Sequence, residues 1–345
     1  MENIASVSRS SGLEKDGDAL KNHKTQEEYR QFIQDKVDIQ GLIIIGNTYS
    51  VTPISLTISG DNSLAKSQQT NSESKDEPSF RRISSSYSVG NVFRSWLWVL
   101  ILDTGKLREG LVSSKRYDSF SLEVYETSLY LSALFRNTKQ SSSIIPYLLP
   151  ELYEKIPGPH DNLLSTILIS LAHELLVAYP SIGKFQHTLN AAVRGAHLQK
   201  ASPAYTWITH LSSSVRSNNY CKFEELTRRE SIISVLQNGI EPSPTRSTHN
   251  PVQKAMFSLV DQLRSRCRDR TWTTLRSAYR ELACHEESGT RGWLVRSLAL
   301  QTTVTSKDEE FGSDLLDKWL EEKSTSGHVQ RKEGVQNRWL VAKVR

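Results

Sequence analysis

The sequence predicts a mainly α-helical chain: a helical (TPR-like) repeat capped by a C-terminal winged helix, behind a disordered N-terminal tail. Three observations carry this expectation. From Val92 onward, apolar residues recur at helical spacing in segments divided by Pro, Gly and Asn breakers. The end of the chain, GHVQRKEGVQNRWLVAKVR, reads as two strands around a Lys332-Glu333-Gly334 turn, and helices followed by a hairpin is the order of a winged helix. Asn62 to Ser88, rich in Ser, Gln, Asn and Lys, lacks the apolar area that would offset the entropy of ordering. The expected division is a tail over residues 1–90, a helical repeat over 91–240 and a winged helix over 251–345.

Composition bounds the classes. A chain of 345 residues has room for about two to three domains and a large core. A hydrophobic fraction of 37% with mean hydropathy −0.46 is low for a chain folded throughout. No run of about 18 apolar residues is present, so no membrane span is expected. The start, MENIASVSRSSGLEKDGD, has no apolar core of a secretory signal. Cys221, Cys267 and Cys284 are odd in number and far apart, which argues for a reduced, intracellular chain. They form no CxxC or Cys/His cluster, so neither a zinc site nor any cofactor is expected.

Within the tail, Asp16 to Lys36 suits a short polar helix without a broad apolar face. Gly41 to Gly46 and Tyr49 to Ile58, rich in β-branched residues, suit a strand or a docking segment. Arg81-Arg82-Ile83-Ser84 fits a basic-directed kinase, although such matches are frequent by chance. In the repeat, Pro146, Pro150 and Pro157-Gly158-Pro159 close one block. Helices are expected over Asn162–Tyr179, Ile182–Gln199, Pro203–Val215 and, after an Asn218-Asn219 turn, Tyr220–Leu236. Short loops between antiparallel helices suggest a solenoid. Beyond the Glu241–Asn250 linker, Asn250 caps and Pro251 opens a helix with the apolar stripe Met256, Val260, Leu263 and Cys267. A second helix is expected over Thr274–Cys284, a further element at Gly292–Leu300 and a short helix at Asp314–Lys323.

The richest stretch is Lys106 to Asn137, KLREGLVSSKRYDSFSLEVYETSLYLSALFRN. Phe120, Val124, Leu131 and Phe135 form one ridge, and Leu122, Tyr125 and Leu129 a second beside it. A helix with two ridges is buried on most of its circumference, as an interior helix of a stack must be. A basic Leu-Arg segment, a short link and F-x-L-E-V-Y-E-T resemble the signature of the GANP-type PCI family (the SAC/GANP/THP group), nuclear scaffolds of messenger-RNA export and transcript processing. Leu107-Arg108 is followed by Glu109-Gly110-Leu111 where the family has Gln-Asp-Leu, so Gly110 replaces an acidic residue. Asn219, Tyr220 and Phe223, with Lys222 for the usual Arg, are similar to the family's G-N-Y-x-R-F-F step. The resemblance spans roughly residues 92–345 and implies a helical repeat joined to a winged helix.

Enzyme signatures are missing, and the chain is expected to be non-enzymatic. No Walker A or G-x-S-x-G pattern occurs, and no carboxylate pair stands out. His173-Glu174 is followed by Val177 where a zinc protease has its second histidine, so His173 reads as a satisfied helix histidine. Trp272, Trp293, Trp319 and Trp339 read as core.

The net charge is +5 with pI near 9.0, and the basic content is localised. Arg264 with Arg268, and Arg266 with Arg270, form two ridges beside the Cys267 stripe. The hairpin adds Arg331, Lys332, Arg338 and Lys343. These eight are the candidate nucleic-acid contacts, since arginine forks grip phosphate. The plain alternative is that they solvate an amphipathic helix.

The expected function is therefore a scaffold of a nuclear complex in messenger-RNA biogenesis or export, binding RNA or DNA with sequence tolerance. The resemblance implies two partners, a second PCI-domain subunit and a small acidic subunit. It places the protein in the nucleus, with the cytoplasm also open, and no membrane is involved. The rival is a structural PCI subunit of a proteasome-lid, signalosome or translation-initiation complex that binds no nucleic acid.

Overall fold

The computed structural model describes residues 17–47, 86–237, 251–285, 289–303 and 312–343. The chain is mainly helical with one small sheet, and it divides into two compact units, Met1–Ser114 and Lys115–Arg345. The linker expected at Glu241–Asn250, the Arg81–Ser84 motif and the Tyr49–Ile58 segment lie outside the described residues.

In the first unit, residues 17–47 are helical within the stretch expected to be a disordered tail, in line with the short polar helix expected at Asp16–Lys36. A 3₁₀ turn (Gly17–Lys21) leads into α1 (His23–Asn47), which packs on α2 (Ser86–Ser113). Gln26, Tyr29 and Ile33 recur at helical spacing and, with Leu20, are buried together with Leu100, Leu107 and Leu111. The stripe is narrow and one member is Gln26, which is why it does not read as an apolar face. The Tyr29 hydroxyl donates to Asp103 Oδ1 at 2.8 Å, and Lys36 meets Oδ2 at 3.0 Å, so this buried carboxylate is paired. Gly41 to Gly46 continues α1 and forms no strand, because an established helix propagates at little cost. Gly110 has a steric cause. A Cβ there would lie 2.6 Å from the Leu20 carbonyl oxygen, so a side chain would push the 3₁₀ turn off α2.

In the second unit, α3 (Ser119–Leu134) starts in a reciprocal cap: Ser121 N–H donates to Asp118 Oδ1 at 2.9 Å, and Asp118 N–H to Ser121 Oγ at 3.1 Å. Both expected ridges of α3 are turned inward, with Leu122, Val124, Tyr125, Leu129 and Leu131 all buried. Helix α4 (Thr138–Pro146), capped by Asn137, runs into a kinked segment (Tyr147–Leu152) and a short α5 (Tyr153–Lys155). Helices α6 (Leu163–Ala178), α7 (Gly183–Arg194) and α8 (Pro203–Ser217) follow. Ser202 caps α8, and Pro203 occupies its first turn, where no N–H is needed.

Asn218 in the left-handed region (φ 54) ends α8, and Asn219 caps α9 (Tyr220–Leu226). The single helix expected over Tyr220–Leu236 is two, because Thr227 Oγ1 folds back on the Phe223 carbonyl (2.8 Å) and closes α9 before α10 (Arg229–Gln237).

Helix α11 (Pro251–Ala278) runs unbroken where two helices were expected. Thr273 and Thr274 interrupt the apolar pattern without breaking the backbone, and their hydroxyls donate to the carbonyls of Asp269 (3.0 Å) and Arg270 (3.2 Å) one turn earlier. After α11 come β1 (Glu281–Ala283), α12 (Gly289–Ser297), α13 (Gly312–Thr325), β2 (Val329–Arg331) and β3 (Arg338–Val341). The three strands form an antiparallel sheet in the order β1-β3-β2, with Leu282 opposite Trp339 and Arg331 opposite Trp339. Its inner face and the flanking helices enclose Trp272, Leu282, Leu294, Leu316, Trp319 and Trp339 in one core. Trp272 meets Trp319 edge-to-face at 4.7 Å.

Candidate interaction surfaces around helix α11

Helix α11 is the hub of the second unit. Its first half packs on α3 and α6, and its second half carries Trp272 and Leu275 into the core beneath the sheet. Along the way it donates hydrogen bonds to the carboxyl ends of four helices. Ser258 Oγ reaches the Ala133 carbonyl of α3 (3.0 Å), and Arg264 Nη1 the Thr227 carbonyl after α9 (2.9 Å). Arg266 Nη1 reaches the Leu176 carbonyl of α6 (2.6 Å). Arg268 reaches Leu298 (2.8 Å) and Ala299 (2.7 Å) just beyond α12. A helix end leaves its last carbonyls without intrahelical partners and carries partial negative charge, so a guanidinium there satisfies both deficits.

Two of the eight predicted contacts, Arg264 and Arg268, are thus engaged inside the fold. Arg264 is only 3% exposed, and burial holds its guanidinium below its ordinary range against the opposing Asp261 and Glu224. Arg268 is half-buried, and burial lowers it too. Arg264 is too enclosed to reach a phosphate, and Arg268 spends two of its donors on helix-end carbonyls. A signal existed in the sequence: Val260, Arg264, Cys267, Thr271 and Leu275 follow one another at steps of three and four. Arg264 therefore sits in the apolar stripe rather than beside it.

The hairpin cations are engaged differently. Arg331 pairs with Glu321 (2.8 Å) and lies over the Trp339 ring (5.0 Å). Lys332 and Arg338 both pair with Glu281 (3.1 and 3.2 Å), and Lys332 first among them holds its carboxyl below the usual range. Lys343 is exposed, while its carbonyl accepts from Arg276 at 3.5 Å. Helix α13 beside the hairpin carries Asp317, Glu321 and Glu322 against Lys318 and Lys323. This end of the molecule is a web of paired charges and not a basic face.

On α11 itself, two of the predicted residues remain on the surface. Arg266 and Arg270 are exposed on the side of α11 that also shows Thr273, Thr274 and Ser277. Arg270 lies beside the Tyr179 hydroxyl, which burial raises and this guanidinium draws down. Both arginines thus border the start of a segment that sequence reasoning passed over. Between Glu174 and Glu224 there is no Asp or Glu, while Lys184, Arg194, Lys200, Arg216 and Lys222 occur. Lys184, Arg194, Lys200 and Arg216 are exposed, and among the described residues none of them meets a carboxylate. The signal was an absence of acid, which a search for clustered arginines does not register.

Other polar clusters are internal. Glu126, 5% exposed, accepts from the Tyr153 hydroxyl and from Asn162 Nδ2 (2.9 Å); burial raises its pKa and these donors oppose the rise. His173 is buried with Nε2 at 3.0 Å from Ser142 Oγ, and burial lowers it to about 4. Among the described residues no group of three His, Cys, Asp or Glu is placed to hold a metal, and no helix is long and apolar enough to cross a membrane. The sequence matches no protein-family model and no curated protein.

Proposed function

We propose that the chain is a non-enzymatic scaffold of the PCI type, built as helical layers capped by a winged helix and acting in a nuclear complex of messenger-RNA biogenesis or export. One observation supports this most: α11 passes without a break from the helical layers into a unit ordered helix, β1, α12, α13, β2, β3, with its sheet in the order β1-β3-β2. That order is the one a winged helix would have, and α11 is shared between this unit and the helices it packs on. The F-x-L-E-V-Y-E-T resemblance agrees, since its helix α3 is the one on which α11 packs.

The work of such a scaffold is binding. Its partners in this reading are a second PCI subunit and a small acidic subunit. Leu340, 41% exposed at the centre of the outer sheet face, and Val335, 38% exposed in the hairpin turn, offer apolar contact for a partner subunit. The pairing of Arg331, Lys332 and Arg338 with carboxylates favours a protein partner at this end over a phosphate backbone. A structural role in a proteasome-lid, signalosome or translation-initiation complex is the second reading, and the same pairing favours it.

Co-purification of the tagged full chain with identification of the bound subunits tests the proposal. A second PCI subunit of an RNA-processing complex, lost in Leu340→Asp while the variant stays folded, is the expected result. Recovery of the chain alone, or with proteasome-lid subunits, contradicts it.

A further inference from the structure

The side of α11 that faces away from the core has a composition of its own. Arg266, Arg270, Thr273, Thr274 and Ser277 recur along one stripe, and all are exposed. At a rise of about 1.5 Å per residue, Arg266 to Ser277 spans about 17 Å. The contacts already described fix what borders this stripe. Arg266 reaches Leu176 at the end of α6, and Asn218 Nδ2 meets Thr274 Oγ1 at 3.4 Å, bringing the α8–α9 turn against its middle. That turn carries the exposed Arg216 and the half-buried Tyr220. At the far end Tyr279, 43% exposed, stands edge-to-face with Trp293 at 5.5 Å. Helices α9 and α12 pack together, and the Tyr220 hydroxyl, raised chiefly by burial, also senses Tyr279. Cations therefore lie at one end and the middle, and aromatic rings at the other end.

We propose that this stripe, with the Asn218–Tyr220 turn and the Tyr279–Trp293 pair, is a track for single-stranded RNA. The placement rests on the binding-scaffold reading above and confines the nucleic-acid contact to the exposed stripe of α11 and its borders, without the hairpin. Phosphates meet Arg266, Arg270 and Arg216. Arg266 uses one amino group on Leu176 and keeps its other donors, since a guanidinium has five N–H groups in a fixed fork. Arg216 at the border belongs to the acid-free segment. Among the described residues, Asp269 lies on α11 itself, and Glu225 is already paired with Lys222 at 2.9 Å. Bases stack on exposed aromatic rings regardless of identity, which gives sequence tolerance.

The hydroxyls select the sugar. Thr273 Oγ1 donates to the Asp269 carbonyl (3.0 Å) and Ser277 Oγ to the Thr274 carbonyl (2.7 Å). Each proton is thereby used within the helix, and each oxygen presents lone pairs outward. A ribose 2′-hydroxyl can donate to such an acceptor, and deoxyribose cannot.

The test is fluorescence anisotropy of a labelled oligouridylate with the full chain, over a salt series, with thermal melting of every variant. Arg216→Glu/Arg270→Glu lowers affinity more than tenfold, and Arg216→Gln/Arg270→Gln flattens the log–log salt slope by about 1.4. Tyr279→Ala weakens binding about tenfold with the slope unchanged. Arg331→Glu/Lys343→Glu on the hairpin binds as the parent does, and the deoxy form of the oligonucleotide binds more weakly. Loss of binding in the hairpin variant alone overturns the placement and leaves nucleic-acid binding standing elsewhere. No binding by a chain that melts cooperatively and still recovers its partner subunit overturns the track and spares the scaffold. Competition by polyglutamate as strong as by RNA, with Tyr279→Ala neutral, overturns it in favour of an acidic protein ligand. Equal affinity for the deoxy form overturns the assignment to RNA.

Discussion

The arginines of α11 and the cations of the C-terminal hairpin look alike in sequence, yet the fold holds them in opposite ways. Arg264 and Arg268 are enclosed and bind backbone carbonyls at helix ends, where their charge meets a fixed dipole. Arg331, Lys332 and Arg338 remain near water and bind carboxylates. The first kind of contact cannot be released without unfolding, because a buried carbonyl that loses its donor keeps the cost of desolvation. The second exchanges readily, because solvent and salt compete for both partners. A cluster of positive residues is therefore no guide to a binding surface until its place on the helix is known. Among the described residues, Lys184, Arg194, Arg216 and Arg270 on α7, α8 and α11 are exposed and meet no carboxylate, although clustering is weak there.

The largest expected effect examines the interior with a side chain that carries no charge. Tyr125, 4% exposed and 4.7 Å from the Tyr147 ring, is held in α3 beneath α11. Tyr125→Ala is expected to lower stability by about 3 to 5 kcal/mol in urea unfolding. An unchanged midpoint would put α3 on the surface.

His173 sharpens the comparison through pH. Its folded-state pKa is lowered by burial from 6.5 to about 4, so the unfolded chain binds the proton more readily. Stability from this group is complete above the unfolded value and is lost as pH falls through the window from 6.5 to about 4. The loss reaches up to about 3 kcal/mol. Glu126 and Asp261, raised by burial, act in the opposite sense, so the readout is the difference between the parent and His173→Gln. Parallel pH profiles for the two would show that the ring is hydrated.

Arg268→Ala removes two carbonyl contacts and is expected to cost about 2 kcal/mol, with little dependence on salt. A loss that vanishes in high salt would class it with the hairpin. The smallest effect is that of Arg331→Ala, whose pair with Glu321 is mostly exposed (70% and 60%). Its unfolding midpoint is expected to match the parent at every salt concentration.

What the sequence disclosed follows from periodicity. The burial of α3 was legible in its two ridges, and the break between α8 and α9 in the Asn218-Asn219 turn. Helix α11 was read as two because Thr273 and Thr274 interrupt the apolar stripe, and β1, at three residues, is too short to show alternation. A short polar helix was legible over Asp16–Lys36, but its buried face was not, because Gln26 stands in that stripe, where it donates to the Leu20 carbonyl at 2.8 Å. For the candidate surface, helical spacing separated the Arg264 ridge from the Arg266 ridge but did not say which one faces inward. That depends on the carboxyl ends of α6, α9 and α12 meeting α11, which are long-range contacts with no local signature.

The most direct measurement compares Arg264→Ala with the parent in urea unfolding and in oligouridylate binding. With Arg264 as an interior strut, the midpoint falls by an amount corresponding to about 3 kcal/mol, and the folded fraction binds RNA with unchanged affinity and salt slope. A variant with the parent's midpoint and a weakened, flatter salt dependence would place Arg264 on the nucleic-acid surface and contradict the account.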